Sequence, residues 1–241
     1  MAATKKTLME GFERMHARFG PRRWWPGETP FEVMVGAILT QNTNWKNVER
    51  AIANLKRERL LEPGKLLDLH PATLAKLIRP AGYYRVKANR LRHFLTYFVE
   101  RYGGSAKKMA AKPTEKLREE LLSVKGIGPE TADSILLYAL DKPVFVVDAY
   151  TRRILSRHAL CAEDETYDDL QALFADRLPA DVPLYNEYHA LVVETAKEYC
   201  RTTPRCEECP LMGWTPKAPR QVPGGRWGGF KIHDRGPMPT R

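Results

Sequence analysis

Apolar side chains recur every three or four positions along most of the chain. The spacing is clear at Leu91, Leu95 and Phe98. This period places the apolar residues on one face of an α-helix. Only the run from Val144 to Val147 has the apolar, β-branched character of a strand, and it is short. The pattern predicts an all-α protein of roughly ten helices without an internal repeat.

Glycine and proline mark the expected boundaries between these helices. They occur together at Pro63-Gly64, Pro80 to Gly82, Gly103-Gly104 and Pro179 to Pro183. Glycine frees the backbone, and proline interrupts a helix unless it lies in the first turn. The sequence therefore predicts short turns at these four places.

The charge balance indicates a polyanionic partner. The chain has 241 residues and a net charge of +10, from 39 Lys and Arg against 29 Asp and Glu. This excess favours nucleic acid or an anionic membrane surface, and the alternative is a basic protein without such a partner. Apolar runs stay below the roughly 18 residues that span a bilayer, and the start lacks the apolar block of a signal peptide. We therefore expect a cytoplasmic protein with no membrane partner.

The segment 213–241 differs in composition from the rest of the chain. Its 29 residues include five Pro and six Gly, with few aliphatic side chains. Six Lys or Arg and one Asp give it a charge of +5, half of the chain's total. Such a segment cannot bury enough apolar surface to offset its ordering entropy, so we expect a basic, disordered tail. It could add salt-sensitive contacts to phosphates.

A glycine-rich turn between two predicted helices is the first candidate site. Helical periodicity covers Glu115 to Ser123 and Glu130 to Leu140, and Val124 to Gly128 form the turn between them. Glycines at 126 and 128 let the backbone turn sharply and approach a ligand. The backbone N–H groups there suit a phosphate, although such a turn can equally be structural.

A lone carboxylate follows the apolar run behind this turn. Asp148 succeeds Val144 to Val147 and precedes a predicted helix from Ala149 to Arg157. It can be the N-cap of that helix or a catalytic group. Burial would raise its pKa and the helix N-terminus would lower it, and the sequence leaves the balance open.

The cysteines are the third candidate site. Three of the four, at 200, 206 and 209, lie within ten residues, and Cys161 is distant in sequence. In a reducing compartment this grouping favours a metal or cluster site over disulfides.

These features together resemble the helix-hairpin-helix, Gly/Pro-rich loop, Asp superfamily of DNA glycosylases, which includes endonuclease III. The similarity covers about residues 20 to 212. Its motifs are F-E-V-M-V-G-A-I-L-T-Q-N-T from Phe31, G-Y-Y-R-V-K-A from Gly82, the hairpin, V-V-D-A-Y around Asp148, and the cysteine-bearing end. The branch that it resembles most is 3-methyladenine DNA glycosylase III.

The resemblance implies an all-α, two-lobed fold with a helix-hairpin-helix. A six-helix bundle is expected over residues 29–146, and a terminal helical domain is expected from 1–28 and 147–212. Double-stranded DNA is the implied partner, and a monomer is expected. The hairpin residues implied to bind the DNA backbone are Lys125, Gly126, Gly128 and Glu130.

The resemblance also assigns the chemistry. Asp148 is implied to stabilise an oxocarbenium-like transition state at the sugar and to assist attack by water. Bifunctional members, which also nick the strand, carry a Schiff-base lysine where this chain has Glu130. A carboxylate cannot form an imine, so simple base removal is expected.

The same branch flips an alkylated purine between aromatic faces. Trp24, Trp25 and Trp45 are the implied pocket, although each could be a core residue. Gln41 and Tyr83 occupy the positions of the residues that fill the gap left in the base stack, although both could cap local turns. Lys87 is interpreted as a phosphate contact or a solvated charge.

Cluster-bearing members of the family hold a [4Fe–4S] group with four cysteines. Here Cys200, Cys206 and Cys209 supply three, and Thr215 stands near the place of the fourth. A [4Fe–4S] cluster is expected with a slight preference over a relic, a three-thiolate site with an outside ligand, or zinc. The chemistry itself requires no cofactor. Two other functions stay open: a bifunctional glycosylase and lyase acting on oxidised pyrimidines, and a non-catalytic DNA-binding module.

Overall fold

The protein is described by a computed structural model that covers residues 3–22, 24–25, 27–162 and 164–215. Pro26 and most of the predicted tail, residues 216–241, lie outside the described residues. The helices are α1 (Lys5–Phe19), α2 (Pro30–Leu39), α3 (Trp45–Arg57), α4 (Pro63–Asp68), α5 (Pro71–Leu77), α6 (Tyr84–Tyr102), α7 (Ala106–Ala110), α8 (Thr114–Ser123), α9 (Pro129–Ser134), α10 (Ala149–Arg157), α11 (Tyr167–Ala175) and α12 (Val182–Glu198). Short 3₁₀ turns cover Arg79–Ala81 and Cys206–Glu208. The described part of the chain contains no strand, so the all-α prediction is confirmed.

One sequence prediction about local structure was wrong, and two of the predicted turns lie slightly earlier in the chain than expected. Val144 to Val147 is extended but pairs with no strand among the described residues, and Phe145, Val146 and Val147 are buried. Pro63 and Pro183 do not break helices. Each lies in the first turn of a helix, where the missing proline N–H would have no partner in any case.

One compact unit comprises Trp25–Lys142. Its central element is α2, in which every side chain from Phe31 to Leu39 is buried. Helices α3, α6 and α9 contact α2. The chain after α9 widens into a π-helical segment, Ile135–Ala139, which also packs on α2. The predicted second helix of the hairpin is therefore present, but its C-terminal half departs from α-helical geometry.

The other unit comprises Met1–Trp24 and Pro143–Arg241, as far as its residues are described. Helix α12 packs against α1 and α10. Phe145 stacks on Phe174 with ring centroids 3.9 Å apart, and Tyr188 meets both rings edge-on. The buried Tyr188 hydroxyl donates to the carbonyl oxygen of Leu8, which ties α12 to α1. Across the described residues, no helix is long and apolar enough to cross a membrane.

Candidate functional site

Asp148 caps α10 and uses its two carboxylate oxygens differently. Oδ1 accepts hydrogen bonds from the backbone N–H of Thr151 at 2.8 Å and from the Thr151 hydroxyl at 2.9 Å. Oδ2 faces Nε2 of His189 at 3.6 Å. The Asp148 side chain is only 9% exposed and that of His189 is 6% exposed. The N-cap interpretation of Asp148 is therefore correct, and the same residue also presents a second oxygen to a buried imidazole.

The surroundings of Asp148 favour its ionised form. Burial raises the pKa of this carboxyl, but the His189 imidazole and the two hydrogen bonds from Thr151 outweigh burial. The net pKa lies below the ordinary value of 3.8. Asp148 is consequently a carboxylate at neutral pH, which suits stabilisation of positive charge and does not suit donation of a proton.

His189 was not predicted as a site residue. It lies on α12 within an apolar stretch, and no sequence spacing relates a lone histidine there to Asp148. Trp24 meets the His189 ring edge-on, with centroids 6.4 Å apart. Trp24, a predicted pocket residue, and Asp148 therefore both lie against the imidazole of His189.

The predicted hairpin joins α8 to α9 within the unit Trp25–Lys142. Lys125, Gly126, Gly128 and Glu130 are all exposed, and Ile127 between the glycines is buried. Gly126 has a φ of +94°, a conformation that side-chain-bearing residues rarely adopt. The buried Ile127 anchors the turn while its flanking backbone stays accessible.

The side chain of Gln41 forms hydrogen bonds with this hairpin. Its amide nitrogen donates to the carbonyl oxygen of Gly126 at 3.1 Å and to the Thr131 hydroxyl at 3.0 Å. Arg90, a residue that sequence reasoning missed, donates to the amide oxygen of Gln41. The side chain predicted to fill the gap in the base stack therefore also holds the hairpin in place.

Tyr83 is the second residue predicted to fill the gap in the base stack. As a whole residue it is 68% exposed. Its φ is +45°, which is strained for a bulky residue, and it immediately precedes α6. Strained backbone of this kind persists where the surrounding structure enforces it and is common at functional sites.

Lys87 does not play the part expected from the sequence. Its side chain is buried, and Nζ donates to the carbonyl oxygens of Leu39 at 2.9 Å and Ala81 at 2.6 Å. A lysine in this position is neither a solvated charge nor a phosphate contact. Its ammonium group links the turn before Tyr83 to the end of α2. It also supplies the donor that these two carbonyl groups need.

The predicted pocket tryptophans fall in both units. Trp25 meets Trp45 edge-on with centroids 5.1 Å apart, and the Tyr138 ring lies 4.9 Å from Trp25. Trp45 is only 2% exposed, whereas Trp25 and Tyr138 are half-buried. A Cβ atom at Gly36 would lie 3.3 Å from Trp45 and 3.5 Å from Trp25, so the missing side chain leaves room for both rings. Tyr138 is a further aromatic residue that the motif comparison did not indicate.

The cysteine loop lacks the ligand set of a four-thiolate cluster. Cys200, Cys206 and Cys209 are electrostatic neighbours of one another, while the charged neighbours of Cys161 are Glu165 and Arg152. Within the described residues, no three His, Cys, Asp or Glu side chains form a group able to hold a metal.

Arg157 and Thr215 form hydrogen bonds within and beside this loop. The buried Arg157 donates to Cys200 Sγ at 3.2 Å and to the carbonyl oxygens of Arg201 and Thr202. The Thr215 hydroxyl donates to the carbonyl oxygen of His158 at 2.8 Å. Only three of the four thiols are neighbours, and Thr215 offers a hydroxyl near the place of the fourth, so these residues do not supply the four thiolates of a [4Fe–4S] group. The cluster stays a prediction from family resemblance.

Replacing Arg157 by Lys is expected to lower the free energy of unfolding by about 1–3 kcal/mol, because an ammonium cannot span the three acceptors. Urea denaturation measures this change. Arg201→Lys is the matched control, since its exposed side chain makes one hydrogen bond, to the carbonyl oxygen of Lys197. The control should change stability by no more than about 0.5 kcal/mol. Stoichiometric iron in the purified protein, with no effect of Arg157→Lys, would contradict this account of the loop.

Known proteins are similar to this chain in sequence and in fold. The family model described as HhH-GPD superfamily base excision DNA repair protein matches residues 35–180. The putative DNA repair glycosylase MJ1434 of Methanocaldococcus jannaschii is 53% identical over 194 residues, which cover 80% of this chain and 88% of the relative. Endonuclease III of Thermotoga maritima is 32% identical over 75% of this chain and 79% of its own length. The crystal structure of H. pylori 3-methyladenine DNA glycosylase (MagIII) bound to 1,N6-ethenoadenine is 31% identical, with a TM-score of 0.68, over 82% of this chain and 98% of that protein.

Proposed function

Because the chain belongs to the HhH-GPD superfamily of base excision DNA repair proteins and is a DNA N-glycosylase, we propose that it removes alkylated purines from double-stranded DNA by hydrolysis, without cutting the strand. The Asp148 carboxylate carries this proposal. It is buried beside an imidazole and held ionised, which is the state that a developing positive charge on the sugar requires.

The reaction breaks the bond between C1′ of the deoxyribose and the base nitrogen. As the base departs with the bonding electrons, positive charge develops on C1′ and the ring oxygen. The Asp148 carboxylate stabilises this charge, and water adds to C1′ and loses a proton, leaving an abasic site. A base alkylated on a ring nitrogen is already cationic, so it leaves as a neutral molecule and needs little help from an acid.

Glu130 supports hydrolysis without strand cleavage. The residue stands exposed in the first turn of α9, where bifunctional relatives have their Schiff-base lysine. Its carboxylate cannot attack C1′ to form an imine. Lys125, before the first glycine of the hairpin, is proposed to contact phosphate.

Aromatic residues support an alkylated purine as the substrate. A cationic purine stacks favourably on the electron-rich faces of Trp and Tyr. We assign Trp25 to base binding, with Tyr138 beside it and the buried Trp45 supporting its ring edge-on. Trp24 lies against His189 in the other unit. The solved relative with 31% identity is a 3-methyladenine DNA glycosylase bound to a modified adenine.

Two exposed features are proposed to hold DNA. The backbone of Gly126, Gly128 and Glu130 would bind one phosphate of the duplex without reading sequence. Tyr83 would enter the base stack when the damaged nucleotide leaves it, and Gln41 would face the base left without a partner. We propose that one copy of the chain acts alone on each lesion.

Duplexes that carry one defined lesion test the reaction. Base release is expected from 7-methylguanine and 3-methyladenine, which are cationic bases, and not from thymine glycol or a G·T mismatch. Strand breaks should appear only after heat or alkali, because hydrolysis leaves the sugar attached to both phosphates. Gel electrophoresis of end-labelled DNA, with and without alkali, measures both results.

The same assay separates the alternatives. Borohydride trapping of a covalent adduct between protein and DNA, together with cleavage of thymine glycol duplexes, would replace the proposal by a bifunctional activity like that of endonuclease III. Absence of base release from every lesion, with duplex binding intact, would favour a non-catalytic DNA-binding module.

A further inference from the structure

We propose that His189 is a positioning residue for catalysis, which holds the Asp148 carboxylate in its charged form and fixes the direction of Oδ2. This inference rests on the proposed function, since Asp148 is the group that it serves. His189 itself need not touch the substrate.

The two carboxylate oxygens of Asp148 have different partners. Oδ1 already accepts two hydrogen bonds from Thr151, so it is committed to the start of α10. Oδ2 is then the oxygen that remains for stabilising charge on the sugar. Nε2 of His189 lies 3.6 Å from this oxygen. A buried carboxylate oxygen without such a partner would tend to take up a proton.

Other cations of the unit are directed elsewhere, as far as the described residues show. On α10, Arg152 donates to the carbonyl oxygen of Glu165, and Arg153 donates to that of Ala196. On α12, Lys197 lies over the Trp24 ring and next to Glu194, which also pairs with Arg22. Glu187 accepts from the backbone N–H of Arg22. Among the groups that lower the pKa of Asp148, His189 has the largest effect, and the hydrogen bonds from Thr151 follow.

The position of the imidazole is fixed by packing. His189 is 5% exposed on the buried face of α12, and Trp24 meets its ring edge-on. A side chain held this way loses little further rotational freedom when it acts on Asp148, which is the requirement for a positioning group.

Replacing His189 by Phe should slow single-turnover base release by roughly 10- to 100-fold, which corresponds to a change of about one to two pKa units in the stabilisation of the Asp148 charge. Because Asp148 must be ionised, the rate falls as pH drops through its pKa. Loss of His189 removes the influence that lowers this pKa, so the acidic limb of the rate profile should move up by about one pH unit or more. His189→Gln retains an N–H donor and should restore part of the rate. Duplex affinity should be unchanged.

His158→Phe is the matched control, because it also removes a histidine of the same unit, one that is half-buried against the tilted Trp214 ring and has no carboxylate partner among its described interactions. Its pH profile should equal that of the original protein. A slower His189→Phe variant with an unshifted acidic limb and no rescue by Gln would overturn the proposal, since it would show a merely structural role.

A carboxyl NMR titration of Asp148 in the free protein gives a result that does not depend on activity. The pKa of Asp148 should rise in His189→Phe and stay nearly unchanged in His158→Phe. If it rises although the unsubstituted protein releases no base from any lesion, the proposed function fails while the pairing stands. If it does not rise, the positioning role is excluded.

Discussion

Replacing Asp148 by Asn is expected to reduce single-turnover base release by at least about 10²-fold, the scale on which enzymes lose rate when one preorganised electrostatic group is removed. The amide has nearly the same shape as the carboxylate but carries no charge, so it cannot offset the positive charge that forms on the sugar. The rate is measured with excess protein over a duplex carrying 7-methylguanine.

The fold should survive this substitution. Asn and Asp are about equally good N-caps, so the side chain can still accept from the backbone N–H of Thr151 and α10 keeps its start. Asp181→Asn is the matched control, since Asp181 caps α12 in the same way but is exposed. It should leave base release unchanged. An Asp148→Asn protein that binds the duplex and keeps more than about a tenth of the rate would remove Asp148 from the mechanism.

Replacing Gly126 by Ala is expected to weaken binding to duplex DNA and to lower the free energy of unfolding by about 1–3 kcal/mol. At a φ of +94° the alanine backbone is strained, and its Cβ would lie 2.4 Å from Cγ of Arg90. Arg90 must then move, which breaks its hydrogen bond to Gln41 and loosens the contacts of Gln41 with the hairpin. Urea denaturation and fluorescence anisotropy with a labelled duplex measure the two effects.

Gly128→Ala is the control for Gly126→Ala. It replaces a glycine of the same turn without introducing backbone strain or a close contact. Gly128 has an ordinary φ of −98°, and a Cβ there would meet no atom within 4 Å. Its stability should fall by less than about 1 kcal/mol, the cost of a poorer N-cap. Equal destabilisation by the two substitutions would show that the contact with Arg90 does not hold the turn. Retention of full duplex affinity in Gly126→Ala would remove the hairpin from DNA binding.

Local sequence signals were sufficient wherever neighbouring residues decide the structure. The period of Leu117 and Leu121 predicted α8, and the two glycines around Ile127 predicted the turn that follows. Asp148 could be recognised as the start of α10 because an N-cap acts on residues only two or three positions later. Val144 to Val147 misled the interpretation, since a continuous apolar run indicates burial but does not distinguish a strand from a buried connection.

Residues that act across the fold had no such signal. Lys87 looked like a surface cation because the sequence does not show that two carbonyl groups, of Leu39 and Ala81, surround its amine. Arg157 gave no indication that it would bond to Cys200 and the following carbonyls. Each buried polar group is satisfied by a partner that is distant in the chain, and no periodicity encodes that partner.

The sequence by itself determined the all-α class, the hairpin, the family and the identity of the carboxylate at position 148, because these depend on short-range periodicity, backbone freedom and motif order. Only the tertiary structure decided the surroundings of that carboxylate. His189 reaches it from α12, and Trp24 meets the His189 ring from a distant segment of the chain. The charge on Asp148 depends on burial and on the groups a few ångströms away, and both quantities exist only after the chain has folded.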